Sequence, residues 1–285
     1  MNTIPPGLRY LAGAALSFSI MAAMAKLAGL AIPLFELVFA RSVVVAVLAG
    51  WDVHRRRMDW RGRERGLLVL RGFFGFAALT CFYYAVLRMP LADATVIHFM
   101  NPVFTALAAA VVLGEHIGMV ELGLTLLSLL GVVIVARPSF LFGASALDPV
   151  AVSVGLLGSV LAGGAYVMVR RLRNEDAGVV VLYFAVVSII LSAGFVVADP
   201  VVPTGWTWLV LVGLGVSTHF GQVFLTRGFQ LERAARASSV GYLQIVFASI
   251  WGWAIFQESP DLWTWVGAAV VVGSTLTLVR LHPTR

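Results

Sequence analysis

The sequence predicts an all-α integral membrane protein of ten transmembrane helices, built as two inverted five-helix repeats. Three observations predict it: the composition, the spacing of the apolar runs, and a repeat at a fixed offset. Sixty per cent of the 285 residues are hydrophobic and only 12% are charged, with a mean hydropathy of +0.94. A soluble domain carries roughly 25% charged residues. Too few polar groups remain to coat a water-facing sphere of this size, so lipid must solvate much of the surface.

Crossing a bilayer takes about 17–25 apolar residues, and runs of that length recur along the chain. The first, 8–29, holds Arg9, an apolar stretch and Ala23-Met24-Ala25, which imitates a secretory signal with its cleavage site. Its counterpart in the second half of the chain cannot be a signal, so retention of this helix is expected. The second run, 32–51, begins at Ile32-Pro33, and the third, 67–87, ends at Arg88-Met89-Pro90. The fourth, 91–113, contains Asn101-Pro102, which frees a backbone carbonyl inside the span. The fifth, 117–136, stops before Arg137, and the sixth, 149–170, carries Gly155, Gly158, Gly163 and Gly164 for close helix packing. The seventh, 178–198, has no charge at all; the eighth, 206–229, holds His219 and Arg227. The ninth, 234–256, is free of charge from Ala237 onward, and the tenth, 262–280, follows Glu258-Ser259-Pro260-Asp261.

Basic residues give the orientation. With ten crossings and a cytoplasmic N-terminus, the link holding Arg55, Arg56, Arg57, Arg61, Arg63 and Arg65 lies inside. Arg170, Arg171, Arg173, Arg233, Arg236, Arg280 and Arg285 fall on the same side, against Arg88 and Arg137 outside and Lys26 near an outer helix end. That asymmetry predicts both termini in the cytoplasm, in the cytoplasmic (inner) membrane. It also accounts for the net charge of +6 as a topology signal, with no nucleic-acid partner. The single Cys81 supports no disulfide framework or thiolate metal site.

Shifted by 143 positions, Ala92-Asp93-Ala94-Thr95 through Asn101-Pro102-Val103-Phe104 to Leu113-Gly114-Glu115 falls on Ala235-Arg236-Ala237-Ser238 through Gln244-Ile245-Val246-Phe247 to Phe256-Gln257-Glu258. The same shift carries Arg137 to Arg280. Five crossings per unit is an odd number, so the second copy enters the membrane from the opposite side. Inverted repeats of this kind build secondary transporters, with the substrate site near the midplane between the repeats.

Several of these segments carry a family resemblance. Phe35-Glu36-Leu37-Val38-Phe39-Ala40-Arg41-Ser42 resembles the second-helix signature of EamA-type proteins of the drug/metabolite transporter superfamily. Leu91-Ala92-Asp93-Ala94 with Asn101-Pro102-Val103-Phe104 and Leu113-Gly114-Glu115 resembles their fourth helix, and Gly241-Tyr242-Leu243-Gln244 running to Phe256-Gln257-Glu258 their ninth. The resemblance covers the whole chain and implies two EamA repeats, 1–140 and 146–285. Within the superfamily the sequence is most similar to the branch of S-adenosylmethionine, riboflavin, and carboxylate or amino-acid carriers.

Candidate site residues follow from polarity inside the bilayer, where an ionisable group is costly unless paired or hydrated. Arg41, near the middle of the second helix, suits a fixed positive charge facing a carboxylate-bearing substrate, or a structural ion pair. Glu36 lies roughly 140° from it around the helix, so the two are not expected to pair. Arg71 and Arg227 lie near helix ends where snorkelling explains them, with a coupling or ion-pair role for Arg71 as the functional alternative. His98 and His219 titrate close to neutral pH, as a proton-coupled carrier needs, or serve as neutral imidazoles bonded to a carbonyl or to Tyr83 or Tyr84. Asn101 and Gln244 are amides at the same depth of the two halves, to bind substrate or to hydrogen-bond between helices. Trp251 can stack on a planar substrate or pack in the core. Glu115 and Glu258 are expected to cap or link helices.

These residues imply a secondary active transporter moving a small polar metabolite by alternating access: an amino acid, carboxylate, nucleoside-like or flavin-like solute. A proton or counter-substrate is the coupling partner, and a homodimer is open. A membrane-embedded enzyme is the first alternative. Gly143-Ala144-Ser145-Ala146 is similar to the Gly-x-Ser-Gly nucleophile of rhomboid proteases but lacks the final Gly, and no His-Glu-x-x-His motif is present. A channel-like protein without coupled transport is the second. No catalytic residue, metal or cofactor is expected, and without a P-loop there is no ATP drive.

Overall fold

A computed structural model describes residues 5–28, 32–88, 91–116, 118–137, 141, 147–198, 201, 203–257 and 261–281. The motif Gly143–Ala146 and the carboxylate Glu258 lie outside these residues. The described chain forms α1 (Pro6–Ala28), α2 (Leu34–Arg55), α3 (Arg65–Arg88), α4 (Leu91–His98), α5 (Asn101–Leu113) and α6 (Met119–Ala136). The second half forms α7 (Pro149–Arg171), α8 (Ala177–Ala198), α9 (Thr207–Leu231), α10 (Ala234–Val240), α11 (Leu243–Phe256) and α12 (Leu262–Leu281). Nine of the resulting spans are apolar and long enough to cross a membrane, and Leu262–Leu278 supplies the tenth. The fourth and ninth spans are each two helices, α4–α5 and α10–α11, so twelve helices make ten crossings.

Helix ends are set locally. Pro149 opens α7, and the Asp148 side chain accepts a hydrogen bond from the Val150 N–H at 2.9 Å. At the far ends of the two broken spans the repeat is visible in the backbone itself. Gly114 (φ +65°) and Gln257 (φ +57°), 143 residues apart, both adopt the left-handed conformation that stops a helix. Gly114 and Glu115 both donate to the Ala109 carbonyl, closing the fourth span.

Packing follows the same half-turn symmetry. The tightest partner of α1 is α9, and its mirror pairing is α7 on α3. The pairs α2–α8 and α6–α12 each cross the symmetry axis. Glycine makes these approaches possible. A Cβ on Gly163 of α7 would lie 2.9 Å from the Thr105 backbone nitrogen, and one on Gly267 of α12 would lie 2.7 Å from the Gly131 carbonyl oxygen. Ser128 and Ser274 share a hydrogen bond of 2.7 Å across that second contact.

The side of the molecule where α1 begins and the α2–α3 link sits is rich in arginine. Its helix ends meet in one apolar core that includes Leu8, Leu11, Val53, Leu68, Leu172, Val179 and Phe229. These residues come from α1, α2, α3, α8 and α9 and, at Leu172, from the residue that caps α7. They pack these helix ends together.

Candidate functional site

The site begins with the two helix breaks. Pro102 has no N–H, so the His98 carbonyl loses its helical partner. The Asn101 side chain fills that role, its Nδ2 donating to the His98 oxygen at 2.8 Å. Ser159 of α7 donates to the neighbouring Ile97 carbonyl at 2.5 Å. A freed carbonyl in a membrane needs such a replacement, and Ser159, from the opposite half, also reaches the His98 oxygen at 3.4 Å. The ninth span breaks without a proline. At Gly241–Tyr242 the backbone switches to i→i−3 bonds: Gly241 to Ser238, Tyr242 to Ser239, Gln244 to Gly241 and Ile245 to Tyr242. Ser238 and Ser239 turn their hydroxyls back on the Ala235 carbonyl at 3.0 Å each, which competes with regular helix.

Between the breaks lies a cavity of about 50 Å³. His98, Asn101, Ser238 and Gln244 bring polarity to its wall, and Phe18, Phe99, Tyr166 and Phe229 supply aromatic surface. Asn101 and Gln244, the two amides related by the 143-residue shift, thus face one space. The volume suits about a water or two, each of which occupies ~30 Å³ of liquid. It is far below the ~300–1,000 Å³ of typical ligand pockets.

The remaining candidates lie elsewhere. Arg41 is only 4% exposed; its Nη1 meets the Met21 sulfur at 3.8 Å and its Nε has no partner among the described residues. Tyr83 lies near enough to Arg41 to interact with it electrostatically. Trp251 is tied to α1 by a 2.9 Å hydrogen bond from its Nε1 to the Ser19 hydroxyl. Glu36 accepts a hydrogen bond from the Val201 backbone N–H and does not meet Arg41. His219 is buried in α9 with its ring edge-on to Phe220, and it does not line the cavity. His98 does, its ring 4.5 Å from that of Phe82 and its Nδ1 without a described partner.

Arg71 differs from its sequence reading. It is 2% exposed, and its Nη2 donates to Gln222 Oε1 of α9 at 2.8 Å. Its guanidinium covers the Phe184 ring at 4.3 Å. The side chain therefore turns inward and does not snorkel, and no carboxylate pairs with it among the described residues. Arg227, in contrast, lies over the Tyr10 ring at 5.6 Å.

Around the arginine-rich side ion pairs gather, two of them between the halves. Glu115 takes Arg170 Nε at 3.2 Å on one oxygen and the Ala234 N–H at 2.9 Å on the other, capping α10. Arg170 also donates to the Gln230 carbonyl at 2.7 Å. Arg233 meets Glu121, and Arg236 meets Glu232, each at 3.4 Å. Burial pushes the Glu232 carboxyl up, opposed first by Arg236 and then by Arg170. On the opposite side Arg137 and Asp261 pair across the halves.

Residues that sequence reasoning passed over include Tyr166, Phe229, Ser159, Ser238, Gln222 and Phe184. Gln222 carried a usable signal, since it is a lone amide within an apolar run. The others are ordinary membrane residues until packing brings them together.

The sequence pattern of the EamA-like transporter family matches residues 5–137 and again 149–280. The chain is 35% identical over 269 residues to the pseudopaline exporter CntI of Pseudomonas aeruginosa (strain UCBPP-PA14), covering 94% of this chain and 93% of that one. It is 31% identical over 227 residues to solute carrier family 35 member G1 of Homo sapiens, covering 75% of this chain and 62% of the carrier. A solved structure, titled only as the crystal structure of a protein, superposes with a TM-score of 0.86 over 98% of this chain and all of its own. At 19% identity that likeness speaks to the fold alone.

Proposed function

The chain belongs to the EamA-like transporter family, and we propose that it is a secondary active carrier exporting a small polar metabolite by alternating access. The observation that carries the reading is the shared cavity. Two helices break at equivalent depths, and their amides, Asn101 and Gln244, line one space between inverted halves. Amides offer both donors and acceptors, so they suit a polar solute of amino-acid, carboxylate, nucleoside-like or flavin-like type. Likeness to an exporter favours outward movement. The arginine asymmetry supports a cytoplasmic location for the arginine-rich side, in the inner membrane, with both termini inside. Drive comes from a proton or a counter-solute. His98 is the imidazole at the cavity wall, and a proton carried there makes flux through His98→Ala insensitive to pH.

The test is reconstitution of the purified protein into liposomes with radiolabelled amino acids and carboxylates. Saturable uptake accelerated by unlabelled solute on the far side is expected. Asn101→Ala and Gln244→Ala should each remove it while membrane abundance stays normal. Near-normal flux in both variants sinks the site assignment, and flux without saturation or counterflow sinks the carrier reading.

A further inference from the structure

We propose that Arg71, with Gln222 and Tyr166, forms a carboxylate-receiving subsite on the arginine-rich side of the transport path, the counterpart of Arg41 on the opposite side. The transported solute is then an organic anion. The inference rests on the carrier reading and adds the substrate class.

Arg71 stands six residues into α3, about 9 Å along the helix. Its neighbours Leu70 and Phe73 are exposed on the outer surface, whereas Arg71 is 2% exposed and faces the bundle. A guanidinium there keeps its charge. Gln222 satisfies one nitrogen and the face of Phe184 supports the plane. Nε and Nη1 are fully buried and have no described partner. The Nε–H points to the Nη2 side of the guanidinium, so Nε and Nη1 face different edges and each offers a carboxylate oxygen one charge-assisted hydrogen bond. A buried cation without an anion is among the least tolerated groups in a membrane, so a mobile anion completes the site.

Two further features tie the group to the path. Tyr166 lines the central cavity and is close enough to Arg71 to interact electrostatically. Phe184 stands 143 residues after Arg41, so it is Arg41's equivalent in the second repeat. The repeat lacks an arginine at that position, and Arg71 lays its guanidinium on the ring that took its place. Both halves of α2–α8 therefore present a buried guanidinium at related positions, one from Arg41 itself and one from Arg71 of α3, and neither is encoded by the repeat. Arg41 likewise has an unpartnered Nε. Gly75 is part of the arrangement, since a Cβ there would lie 2.8 Å from the Phe184 ring and 3.4 Å from Arg71 Nη1.

The experiment uses the full chain in lipid nanodiscs and in liposomes, with a probe panel of amino acids, mono- and dicarboxylates, each paired with its primary amide. Thermal shift in nanodiscs and counterflow in liposomes are read for both members of each pair. Wild type is expected to prefer at least one acid over its amide. Arg71→Gln should cut that preference by ~10- to 100-fold, the contribution of charge-assisted hydrogen bonds, with the acid losing far more than its amide. Gln222→Leu, which keeps the charge, should give a smaller loss in the same direction and serves if Arg71→Gln does not fold. Equal acid preference in wild type and both variants overturns the subsite, as does a wild type that transports an amide as readily as its acid. Asn101→Ala should lose acid and amide alike. If instead no solute produces saturable flux in wild type, the carrier reading fails and takes the subsite with it.

Discussion

Replacing Glu115 by Gln isolates one element of the arginine-rich side. Glu115 joins α5 of the first half to Arg170 of α7 and to the N-terminus of α10 in the second. The two side chains are 13% and 17% exposed. At 3.2 Å and an effective dielectric near 20, two unit charges attract by ~5 kcal/mol before desolvation is subtracted. Breaking a fully buried pair by removing one partner costs about 3–5 kcal/mol. Glutamine still accepts the Ala234 N–H and water reaches both ends of this pair, so ~1.5–2.5 kcal/mol is expected. If the pair exists only while the arginine-rich side is closed, that energy shifts the closed–open equilibrium by ~10- to 70-fold toward opening. The assay places a reporter at Ser238→Cys, on the cavity wall, in a Cys81→Ser background. A membrane-impermeant thiol reagent is applied to inside-out and right-side-out vesicles. Labelling from the arginine-rich side should rise about as much as the equilibrium shifts, and labelling from the other side should fall. Arg170→Gln should reproduce the effect, and the double variant should add little to either. Rates from both sides that stay within about twofold of the parent refute the argument, because the pair would then be equally present in both states.

Other outcomes follow from single contacts. Gly163→Ala should destabilise the protein by about 1–3 kcal/mol through overpacking, because the new Cβ meets the backbone of Phe104 and Thr105, which cannot swing away. Gly273→Ala is the control, since nothing lies within 4 Å of its Cβ position, and equal thermal shifts in the two variants would contradict the packing. Asp261 is held at about 2, first by the Thr264 backbone N–H and then by the Arg137 guanidinium and the Thr264 hydroxyl, against an opposing desolvation effect. A depressed carboxylate stabilises the fold above its unfolded pKa, and that contribution is lost as pH falls through the folded value. Asp261→Asn should therefore flatten the acid limb of thermal stability between about pH 4 and 2; an unchanged limb excludes Asp261 from it.

The spans were legible because lipid makes hydrophobicity one-dimensional: a run either lasts a bilayer thickness or does not. The repeat was legible because Gly114-Glu115 and Gln257-Glu258 recur at helix ends where backbone geometry limits the choice. Rotation about each helix was not. Position in the sequence gives the depth of Arg71, and depth alone suggested snorkelling. Its burial depends on which way α3 turns, and α3 has no amphipathic stripe to show it. Phe73 lies two residues on, roughly 200° away, and takes the lipid face that Arg71 was expected to use. The Asn101-Pro102 break could be read because proline removes a hydrogen bond outright. The break at Gly241 arises from weaker competition by Ser238 and Ser239, which many intact helices also contain.

The two halves share a backbone plan but not a charge plan, and the difference carries the directional chemistry. A perfectly repeated protein would have equal energies for its two access states, since the half-turn would exchange them. Here the arginine-rich side holds a buried apolar core and two ion pairs between the halves, Glu115 with Arg170 and the buried Glu121 with Arg233. Across the opposite side, the Arg137–Asp261 pair is 39% and 47% exposed, and exposed pairs contribute little and are screened by salt. On the proposed alternating-access reading, the arginine-rich side is the one held by the less exposed interactions. A carboxylate arriving at Arg71 supplies what the closed state leaves out, an anion for a buried guanidinium among aromatic rings. On the proposed Arg71 subsite, the solute's own charge would offset the ion pairs between the halves and the apolar packing that part on this side.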